Sequence, residues 1–365
     1  MKNRILSIDI LRGMTIFFMI IVNTPGSWQY VYPPLLHAKW NGCTPTDLVF
    51  PSFLFVIGMS MFISFKKNNQ EKPSSIYAKI IKRALIIFGI GVFLNWFPFQ
   101  IPFSELRYFG VLQRIALAYL GAAICITFLK KKIPIALTAI LLMLLHWVLL
   151  YIFGPEKTYL ELADTYSRHL DINLFGANHI YGGYGMPFDP EGLLGTLSSI
   201  SQVILGYLTA QWVLSQVEFN TKVVGKMAGI GISAILIGLI LNLAYPINKP
   251  LWTGSYVFYT SGIITLIWTA LAWIVDIKNI KKWTFIFKVF GRNPLISYVL
   301  SILFVKIFID VVKISDTNLY SWLYTNVYQS IFGNNFGSLM FALSFTLFIW
   351  LFAYGLHRKN MIIKL

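Results

Sequence analysis

Long apolar stretches separated by short polar segments recur along the whole chain. About ten of them approach the roughly 20 residues that an α-helix needs to cross a bilayer. Because only helices and closed barrels satisfy their backbone groups in lipid, the pattern predicts an all-α polytopic membrane protein with about ten transmembrane helices in one bundle. We place the spans at residues 5–23, 46–65, 79–97, 110–129, 133–153, 191–214, 223–244, 255–276, 288–311 and 335–356.

The amino-acid composition agrees with this interpretation. Of the 365 residues, 57% are hydrophobic and only 12% are charged, whereas a soluble domain carries about 25% charged residues. The first apolar stretch contains Asp9 and Arg12, and no small-residue cleavage site precedes the second span. We therefore expect this stretch to remain as the first transmembrane helix.

Basic residues lie in short clusters between the apolar stretches, and the clusters fall in alternate gaps. The formal net charge is +16, but there is no single broad basic patch, so we expect no nucleic-acid partner. Because Lys and Arg accumulate in cytoplasmic loops, the pattern predicts cytoplasmic termini and outward-facing odd-numbered gaps. The residues behind this prediction are Lys2, Arg4, Lys66, Lys67, Lys72, Lys79, Lys82, Arg83, Lys130, Lys131, Lys132, Lys222, Lys226, Lys278, Lys281, Lys282, Arg358, Lys359 and Lys364.

The largest outward-facing loop covers residues 154–190 approximately, and it is polar and rich in glycine. Long loops without predicted structure are usually either functional or disordered. The Asp, Asn and Tyr content of this loop suits contact with a carbohydrate. With no repeat and no soluble domain in the pattern, we expect residues 1–365 to form a single transmembrane domain.

His37 is the leading candidate for chemistry. It lies in the outward-facing loop between the first two spans, and imidazole is the side chain that titrates most readily near neutral pH. Asp47, which begins the second span, has two interpretations. An acid in the first turn of a helix is favoured by the helix dipole, and a carboxylate also commonly orients a catalytic imidazole.

Polar residues also form a stripe along the first span. Asp9 and Arg12 share a face at a spacing of three, and Asn23 lies close to three whole turns further on, with Ile16 and Met19 between them. Such a stripe can line a passage between the membrane faces, since polar residues at membrane depth are usually functional. The alternative is an Asp9–Arg12 pair that snorkels at the cytoplasmic end.

Gln113 and Arg114 open the fourth span on its outward side, at the level predicted for His37. An arginine keeps its charge and needs a carboxylate, a carbonyl or water. We expect Asp189 and Glu191, just before the sixth span, to be its partners. Either pair of residues can instead bind a polar substrate.

A second set of basic residues is predicted at the inner ends of the spans. Lys79, Lys82, Arg83, Lys288 and Arg292 can attract the phosphates of a cytosolic nucleotide carrier there. Topology alone also accounts for basic residues at this position, so both interpretations stay open.

The remaining histidines and cysteines point to structure rather than chemistry. Cys43 and Cys125 lie in different segments, so we expect neither a disulfide nor a thiol nucleophile, and no metal-ligand spacing is present. His146 stands alone in an apolar run. We expect it to be a packed, hydrogen-bonded histidine.

Several short motifs together resemble the heparan-alpha-glucosaminide N-acetyltransferase family and its bacterial relatives in the transmembrane acyltransferase group. They occur in the same order over nearly the whole chain, so the resemblance is specific. The motifs are Ser7-Ile8-Asp9, Leu11-Arg12-Gly13, Val22-Asn23, His37-Ala38-Lys39-Trp40-Asn41-Gly42, Asp47-Leu48-Val49-Phe50-Pro51, Gly110-Val111-Leu112-Gln113-Arg114, Asp189-Pro190-Glu191-Gly192-Leu193-Leu194-Gly195-Thr196, Asn248-Lys249-Pro250-Leu251-Trp252-Thr253 and Gly291-Arg292-Asn293-Pro294.

The resemblance implies transfer of the acetyl group of cytosolic acetyl-CoA to the amine of a terminal glucosamine on the far side of the membrane. It implies that His37 is the catalytic histidine, as general base or transient acetyl carrier, and that Asn23 belongs to the same site. We add Asp47 to the catalytic set. We assign substrate binding to Trp40, Asn41, Gln113, Arg114, Asp189 and Glu191, and cofactor binding to Asp9, Arg12, Arg83, Arg292 and Asn293.

The resemblance also implies a multi-pass protein of the bacterial inner membrane. The expected partners are acetyl-CoA, an amino sugar or glycosaminoglycan-derived oligosaccharide and membrane lipid, with a homodimer left open. Two other functions remain as alternatives: transport of amino sugars or oligosaccharides, and O-acetylation of a periplasmic glycan. The lack of convincing internal symmetry and of paired broken helices is weak evidence against a transporter.

Overall fold

Helices make up most of the protein. The computed structural model describes residues 5–67, 73–314 and 316–363. Of the residues behind the orientation prediction, Lys2, Arg4, Lys72 and Lys364 lie outside these ranges. The helices are α1 (Leu6–Asn23), α2 (Val49–Lys67), α3 (Pro73–Trp96), α4 (Val111–Leu129), α5 (Lys132–Phe153), α6 (Tyr166–Phe175), α7 (Thr196–Leu214), α8 (Thr221–Leu241), α9 (Gly254–Leu271), α10 (Phe285–Arg292), α11 (Pro294–Lys306), α12 (Leu319–Leu323), α13 (Ser330–Phe332) and α14 (Asn334–Arg358).

Short elements connect or extend these helices. Two strands, β1 (Lys313–Ile314) and β2 (Thr317–Asn318), pair as a small antiparallel hairpin. The 3₁₀ segments are Pro33–Leu35, Pro45–Leu48, Phe103–Glu105, Ala177–His179 and Lys282–Thr284. Three π-helical segments, Ala272–Ile277, Ile307–Val311 and Tyr324–Gln329, continue α9, α11 and α12.

The all-α polytopic membrane fold is confirmed. Within the described residues, nine helical segments are long and apolar enough to cross a membrane. The third predicted span, at residues 79–97, forms the 24-residue helix α3. This helix is less apolar than the nine, because Lys79, Lys82 and Arg83 lie in its first half.

The prediction of one continuous ninth span over residues 288–311 is wrong. The chain forms α10, leaves the helical conformation at Asn293 (φ −132°, ψ 59°) and restarts as α11 at Pro294. Proline has no N–H to donate and disfavours the helical conformation of the residue before it. The break places Arg292 and Asn293 at the junction of two helices.

Small residues allow the central helices to pack closely. At the crossing of α2 and α7, a Cβ added to Gly58 would overlap the carbonyl of Val203, and one added to Gly206 would overlap the carbonyl of Phe55. Close backbone approach at small residues is the usual way in which helices associate in lipid. The core lies around this crossing, with α8 packed on α9, α1 on α10, and α3 on α4.

The two ends of the bundle differ in chemistry. Helix α1 has 18 residues, so it is about 27 Å long at 1.5 Å per residue. His37 follows the end of α1, and we call that side the His37 end. Arg12 lies near the beginning of α1, and Lys130 follows the end of α4. We call that opposite side the basic end.

Candidate active site

His37 is held by Asp47 at the His37 end. The ring Nδ1 lies 2.6 Å from Asp47 Oδ1. The imidazole is 45% exposed, whereas the carboxylate is 1% exposed. Because Nδ1 is engaged by the carboxylate, Nε2 is the ring nitrogen that remains available for chemistry.

The same carboxylate fixes the loop that carries His37. Asp47 Oδ2 accepts hydrogen bonds from the backbone N–H groups of Ala38 and Thr44, each at 3.0 Å, and from the Thr44 hydroxyl at 3.0 Å. Thr44 and Asp47 thus form a capping box at the start of the 3₁₀ turn that leads into α2. Asp47 therefore caps this turn and contacts the imidazole at once, so both interpretations of its position apply.

Lys249 completes this cluster. It belongs to the motif Asn248-Lys249-Pro250-Leu251-Trp252-Thr253, to which the sequence analysis assigned no role in the site. Its Nζ lies 2.9 Å from Nδ1 and 3.2 Å from Nε2 of His37, and 3.4 Å from Asp47 Oδ1. Burial lowers the pKa of the ammonium, against the opposing effects of Asp47 and Glu191. The available signal was a lone lysine in a short connection between two apolar spans that otherwise lacks basic residues.

Cys43 lies close to these charges and stays a thiol. Burial and, to a lesser extent, the charge of Asp47 raise its pKa to about 12, while Lys249 acts in the opposite direction. A thiolate nucleophile is therefore disfavoured at neutral pH.

Aromatic rings form a wall beside the site. Trp40 packs edge-on against Tyr184 and Phe188, with ring centroids 6.2 Å and 5.4 Å away. The indole N–H of Trp40 donates to the carbonyl of Leu160. Apolar and aromatic walls with a few polar groups are typical of small-molecule sites. The loop 154–190 thus contributes directly to the surroundings of His37.

Arg107, rather than Arg114, pairs with the two acids before α7. Arg107 Nε and Nη2 bind the two oxygens of Asp189 at 2.8 Å and 2.7 Å, and Nη2 also binds Glu191 at 2.7 Å. Burial alone would lower the pKa of Arg107, but its hydrogen bond to Asp189 and the charge of Glu191 raise it above its ordinary value. The expected Arg114 pairing with Asp189 and Glu191 is therefore wrong, because Arg107 occupies both carboxylates.

Arg114 is buried, 1% exposed, in the wall between the two ends. Its Nη2 donates to the carbonyl of Gly192 at 2.7 Å, and its guanidinium lies 5.3 Å from the ring centroid of Trp252. Within the described residues, four buried N–H groups of this region have no hydrogen-bond partner: Gln113 Nε2, Arg114 Nε, Arg114 Nη1 and Trp252 Nε1. Each unpaired buried donor costs about 1–3 kcal/mol, so this region has unmet capacity for an acceptor.

A cavity of about 1030 Å³ occupies the basic end. Its walls come mainly from α2, α3 and α4, and it reaches inward from Phe65 to Phe53. These two residues are twelve positions apart on α2, which corresponds to about 18 Å. Its basic lining residues are Arg12, Lys79, Lys82, Arg83, Lys130 and Arg292.

Aromatic packing separates the cavity from His37. Phe50 packs against Trp252 at 4.9 Å, and Trp252 packs against Tyr256 at 5.3 Å between ring centroids. We call Phe50, Arg114, Trp252 and Tyr256 the barrier layer. The cavity lining includes Ile115, directly after Arg114, but not His37, Asp47 or Lys249.

The predicted cofactor residues are mostly gathered at the cavity. Arg12, Arg83, Arg292 and Asn293 line it. Asp9 Oδ1 binds Arg12 Nη2 at 2.9 Å, so Asp9 holds a residue that lines the wall. Asn293 also binds the chain near the C-terminus, donating to Met361 O and accepting from Ile363 N.

Most of the predicted stripe along α1 does not line this cavity. Arg12 lines it, whereas Ile16 and Met19 are buried in the core. Asn23 ends α1 with an exposed side chain, and within the described residues no hydrogen bond joins it to His37. Its role in the site stays a prediction.

Two further side chains are explained by their contacts. Asn41 pairs with Asn248, whose Nδ2 donates to Asn41 Oδ1 at 3.0 Å. His146 is fully buried, and its Nδ1 lies 2.6 Å from the Tyr245 hydroxyl, which confirms the packed, hydrogen-bonded histidine. No group of three or more His, Cys, Asp or Glu residues within the described ranges is arranged to hold a metal ion.

Fold and site together define a multi-pass membrane protein with a His–Asp–Lys cluster at one end and a basic cavity at the other. Residues 4–170 match the family model described as heparan-alpha-glucosaminide N-acetyltransferase, catalytic. The chain is 28% identical over 351 residues to heparan-alpha-glucosaminide N-acetyltransferase of Mus musculus and 26% identical over 350 residues to that of Homo sapiens. Each match covers 81% of this chain.

These matches confirm the resemblance: the chain is similar to the heparan-alpha-glucosaminide N-acetyltransferases. It spans about half the length of these curated relatives, 53% of the mouse protein and 52% of the human one.

Proposed function

We propose that this protein is a transmembrane N-acetyltransferase that passes the acetyl group of cytosolic acetyl-CoA to the amine of a terminal glucosamine-type sugar on the periplasmic side of the bacterial inner membrane. One observation carries the proposal. A large basic cavity and a histidine–carboxylate pair lie at opposite ends of one helical bundle, and the barrier layer lies between them.

The cavity suits a large anionic co-substrate. Its volume of about 1030 Å³ is at the upper end of ordinary small-molecule pockets. Its wall carries Arg12, Arg83 and Arg292, and arginine is well suited to bind phosphate. In this proposal the nucleotide phosphates of acetyl-CoA contact these arginines, Asp9 positions Arg12, and Asn293 shapes the wall.

The unpaired donors of the barrier support a path for the thioester. Arg114 Nε and Nη1 and Trp252 Nε1 are buried N–H groups without partners in the described part of the chain. An amide or thioester carbonyl of the donor would supply the missing acceptors. Because the cavity ends before His37, the transfer requires the barrier layer to open.

The His37 end suits an amino-sugar acceptor. Trp40 and Tyr184 offer aromatic faces and edges, and Glu191 offers a carboxylate that attracts an ammonium group. Asp189 is fully engaged by Arg107, so we assign it the positioning of this wall. Asn41 orients the loop through Asn248.

His37 is proposed to act at Nε2. Asp47 keeps the Nδ1 proton directed at its carboxylate, as in other catalytic imidazoles. Nε2 then either removes a proton from the attacking amine or carries the acetyl group transiently. Asn23 remains a candidate for the catalytic set, where its side chain would help to hold the developing oxyanion.

The test is acetyl transfer from labelled acetyl-CoA to a panel of amino sugars by the purified protein. Because general base catalysis contributes about 10²–10⁴-fold, His37→Ala should lose at least about 100-fold in rate while retaining its melting temperature. His169→Ala, an exposed histidine on α6, is the matched control and should keep full activity. Full activity in His37→Ala would remove this residue from the mechanism.

Product analysis separates the alternatives. An amide product supports the proposal, and an ester product would replace it with O-acetylation. Accumulation of unmodified amino sugar in sealed vesicles, without acetylation, would replace it with transport.

A further inference from the structure

Lys249 reaches the imidazole of His37 from a distant part of the sequence. The two residues are 212 positions apart, yet Nζ lies within 3.2 Å of both ring nitrogens. Its side chain is only 16% exposed. A mostly buried ammonium is costly unless it is paired, so this position calls for a specific explanation.

The fold holds Lys249 there by backbone and side-chain contacts. Gly42 N–H donates to the carbonyl of Ile247 at 2.7 Å, and Asn41 and Asn248 form an isolated antiparallel bridge. Asn248 also accepts from the backbone N–H of Leu251 at 2.7 Å. The loop that carries His37 and the segment that carries Lys249 are therefore attached to each other directly beside the site.

The distances favour a role beyond ion pairing. A lysine that only neutralised Asp47 would approach its carboxylate most closely. Instead, Nζ is nearer to the two ring nitrogens, at 2.9 Å and 3.2 Å, than to Asp47 Oδ1 at 3.4 Å. The ammonium thus lies beside the imidazole ring, close enough to reach a group that reacts at Nε2.

We propose that Lys249 is a further catalytic residue, whose ammonium donates a hydrogen bond to the carbonyl oxygen of the acetyl group as that group reacts beside Nε2 of His37. This rests on the proposed acetyl transfer. A preorganised donor at a developing oxyanion is often a large contribution to catalysis.

Lys249 has the same role whether the acetyl group is transferred directly or through a covalent intermediate on Nε2. In direct transfer, the amine nitrogen bonds to the carbonyl carbon and negative charge collects on the oxygen. The C–S bond then breaks, its electron pair leaves with the sulfur of CoA, and the amine proton passes to Nε2 and on to the thiolate. In covalent transfer, Nε2 first bonds to the carbon as the C–S bond breaks and its electron pair leaves with the sulfur of CoA. The amine nitrogen then bonds to the carbon, the C–Nε2 bond breaks, and the amine proton passes to the released Nε2. Each route develops charge on the same carbonyl oxygen.

Two substitutions test the proposal, with Lys157→Met, an exposed lysine of the external loop, as control. Lys249→Met should lower kcat by about 10²–10³-fold, the usual cost of one oxyanion donor. It should leave KM for acetyl-CoA within about threefold, because Lys249 does not line the cavity. The control should behave as the wild type.

The pH profile separates catalysis from structural support. Since burial lowers the pKa of Lys249 below its ordinary 10.5, wild-type kcat should fall as the pH rises and the ammonium is lost. Lys249→Arg keeps its charge, so it should retain part of kcat and lose this alkaline decline. Identical alkaline limbs in the wild type and Lys249→Arg would overturn the proposal, and this comparison decides the matter even if Lys249→Met does not fold.

The outcomes also distinguish the two proposals. If the wild type transfers no acetyl group to any amine, the proposed function fails and the role of Lys249 fails with it. If the wild type is active and Lys249→Met has normal kcat, only the role of Lys249 is overturned.

Discussion

At the scale of single residues, two buried carboxyl groups, those of Asp47 and Asp171, differ in how well their charge is compensated. Asp47 receives two backbone N–H groups, a hydroxyl and the His37 ring, so its charge is well compensated. Asp171 on α6 is equally buried but has one bond, from the backbone N–H of Leu193, and its Oδ2 has no partner among the described residues. Burial therefore raises the pKa of Asp171 to about 7, with the bond from Leu193 acting against it.

The raised pKa of Asp171 predicts a pH-dependent cost in stability. Below about pH 4 the carboxyl is protonated in both the folded and the unfolded state, so it contributes nothing. Between pH 3.8 and about pH 7, Asp171 is ionised in the unfolded chain but protonated in the folded protein. The free energy of unfolding therefore falls by about 1.4 kcal/mol per pH unit. Above pH 7 the cost is constant.

Asp171→Asn removes this titration. Its melting temperature relative to the wild type should rise between pH 4 and pH 7 and stay level above that, measured on the purified protein. Glu156→Gln, an exposed change of the same kind, should show no such trend. A constant difference between Asp171→Asn and the wild type across this range would contradict the prediction.

At the scale of helices, breaks and crossings shape the cavity. The interruption at Asn293 and Pro294 turns one apolar stretch into α10 and α11, and Arg292 and Asn293 at the break join the cavity wall. At the crossing of α2 and α7, Gly58 and Gly206 each face a carbonyl of the neighbouring helix. Since α2 supplies much of the cavity wall, this crossing sets the position of that wall.

Gly206→Ala should therefore destabilise the protein by about 1–3 kcal/mol, the usual cost of overpacking, because the added methyl group would overlap the backbone of Phe55. Gly89→Ala on α3 is the matched control, since nothing lies within 4 Å of its Cβ position. It should be neutral or slightly stabilising, because alanine favours helix by about 1 kcal/mol over glycine. Equal melting temperatures for the two variants would refute this account of the crossing.

At the scale of the whole molecule, charge and reactive groups are separated along the bundle. The basic residues of the cavity lie at one end and the His37 cluster lies at the other, and His37, Asp47 and Lys249 do not line the cavity. In the proposed function, this arrangement gives donor binding and acceptor chemistry distinct sets of residues, which mutations can separate.

Arg83 tests the donor end. It lines the cavity, and its guanidinium lies 4.9 Å from the ring centroid of Tyr119. Arg83→Gln should raise the Kd for CoA by about threefold to tenfold, equivalent to about 0.7–1.4 kcal/mol, and should weaken its dependence on salt. Binding of CoA to the purified protein measures both, and Lys226→Gln, an exposed lysine of α8 outside the cavity lining, should leave both unchanged. Unaltered affinity in Arg83→Gln would exclude this arginine from the site.

The sequence alone determined the fold class and most helix positions. Length and hydrophobicity are local properties, so the spans at 5–23 and 110–129 could be recognised without knowledge of their neighbours, as α1 and α4 confirm. The sequence also indicated His37 and Asp47. Polar residues next to apolar spans are rare, and these two lie close together in the chain.

Only the tertiary structure decided which polar groups meet. Arg107 rather than Arg114 binds Asp189 across 82 positions, and Lys249 reaches His37 across 212. Such pairs depend on how helices pack, and single-residue propensity carries no information about that. The cavity and the barrier layer likewise exist only between helices, because each is enclosed by side chains from several distant segments.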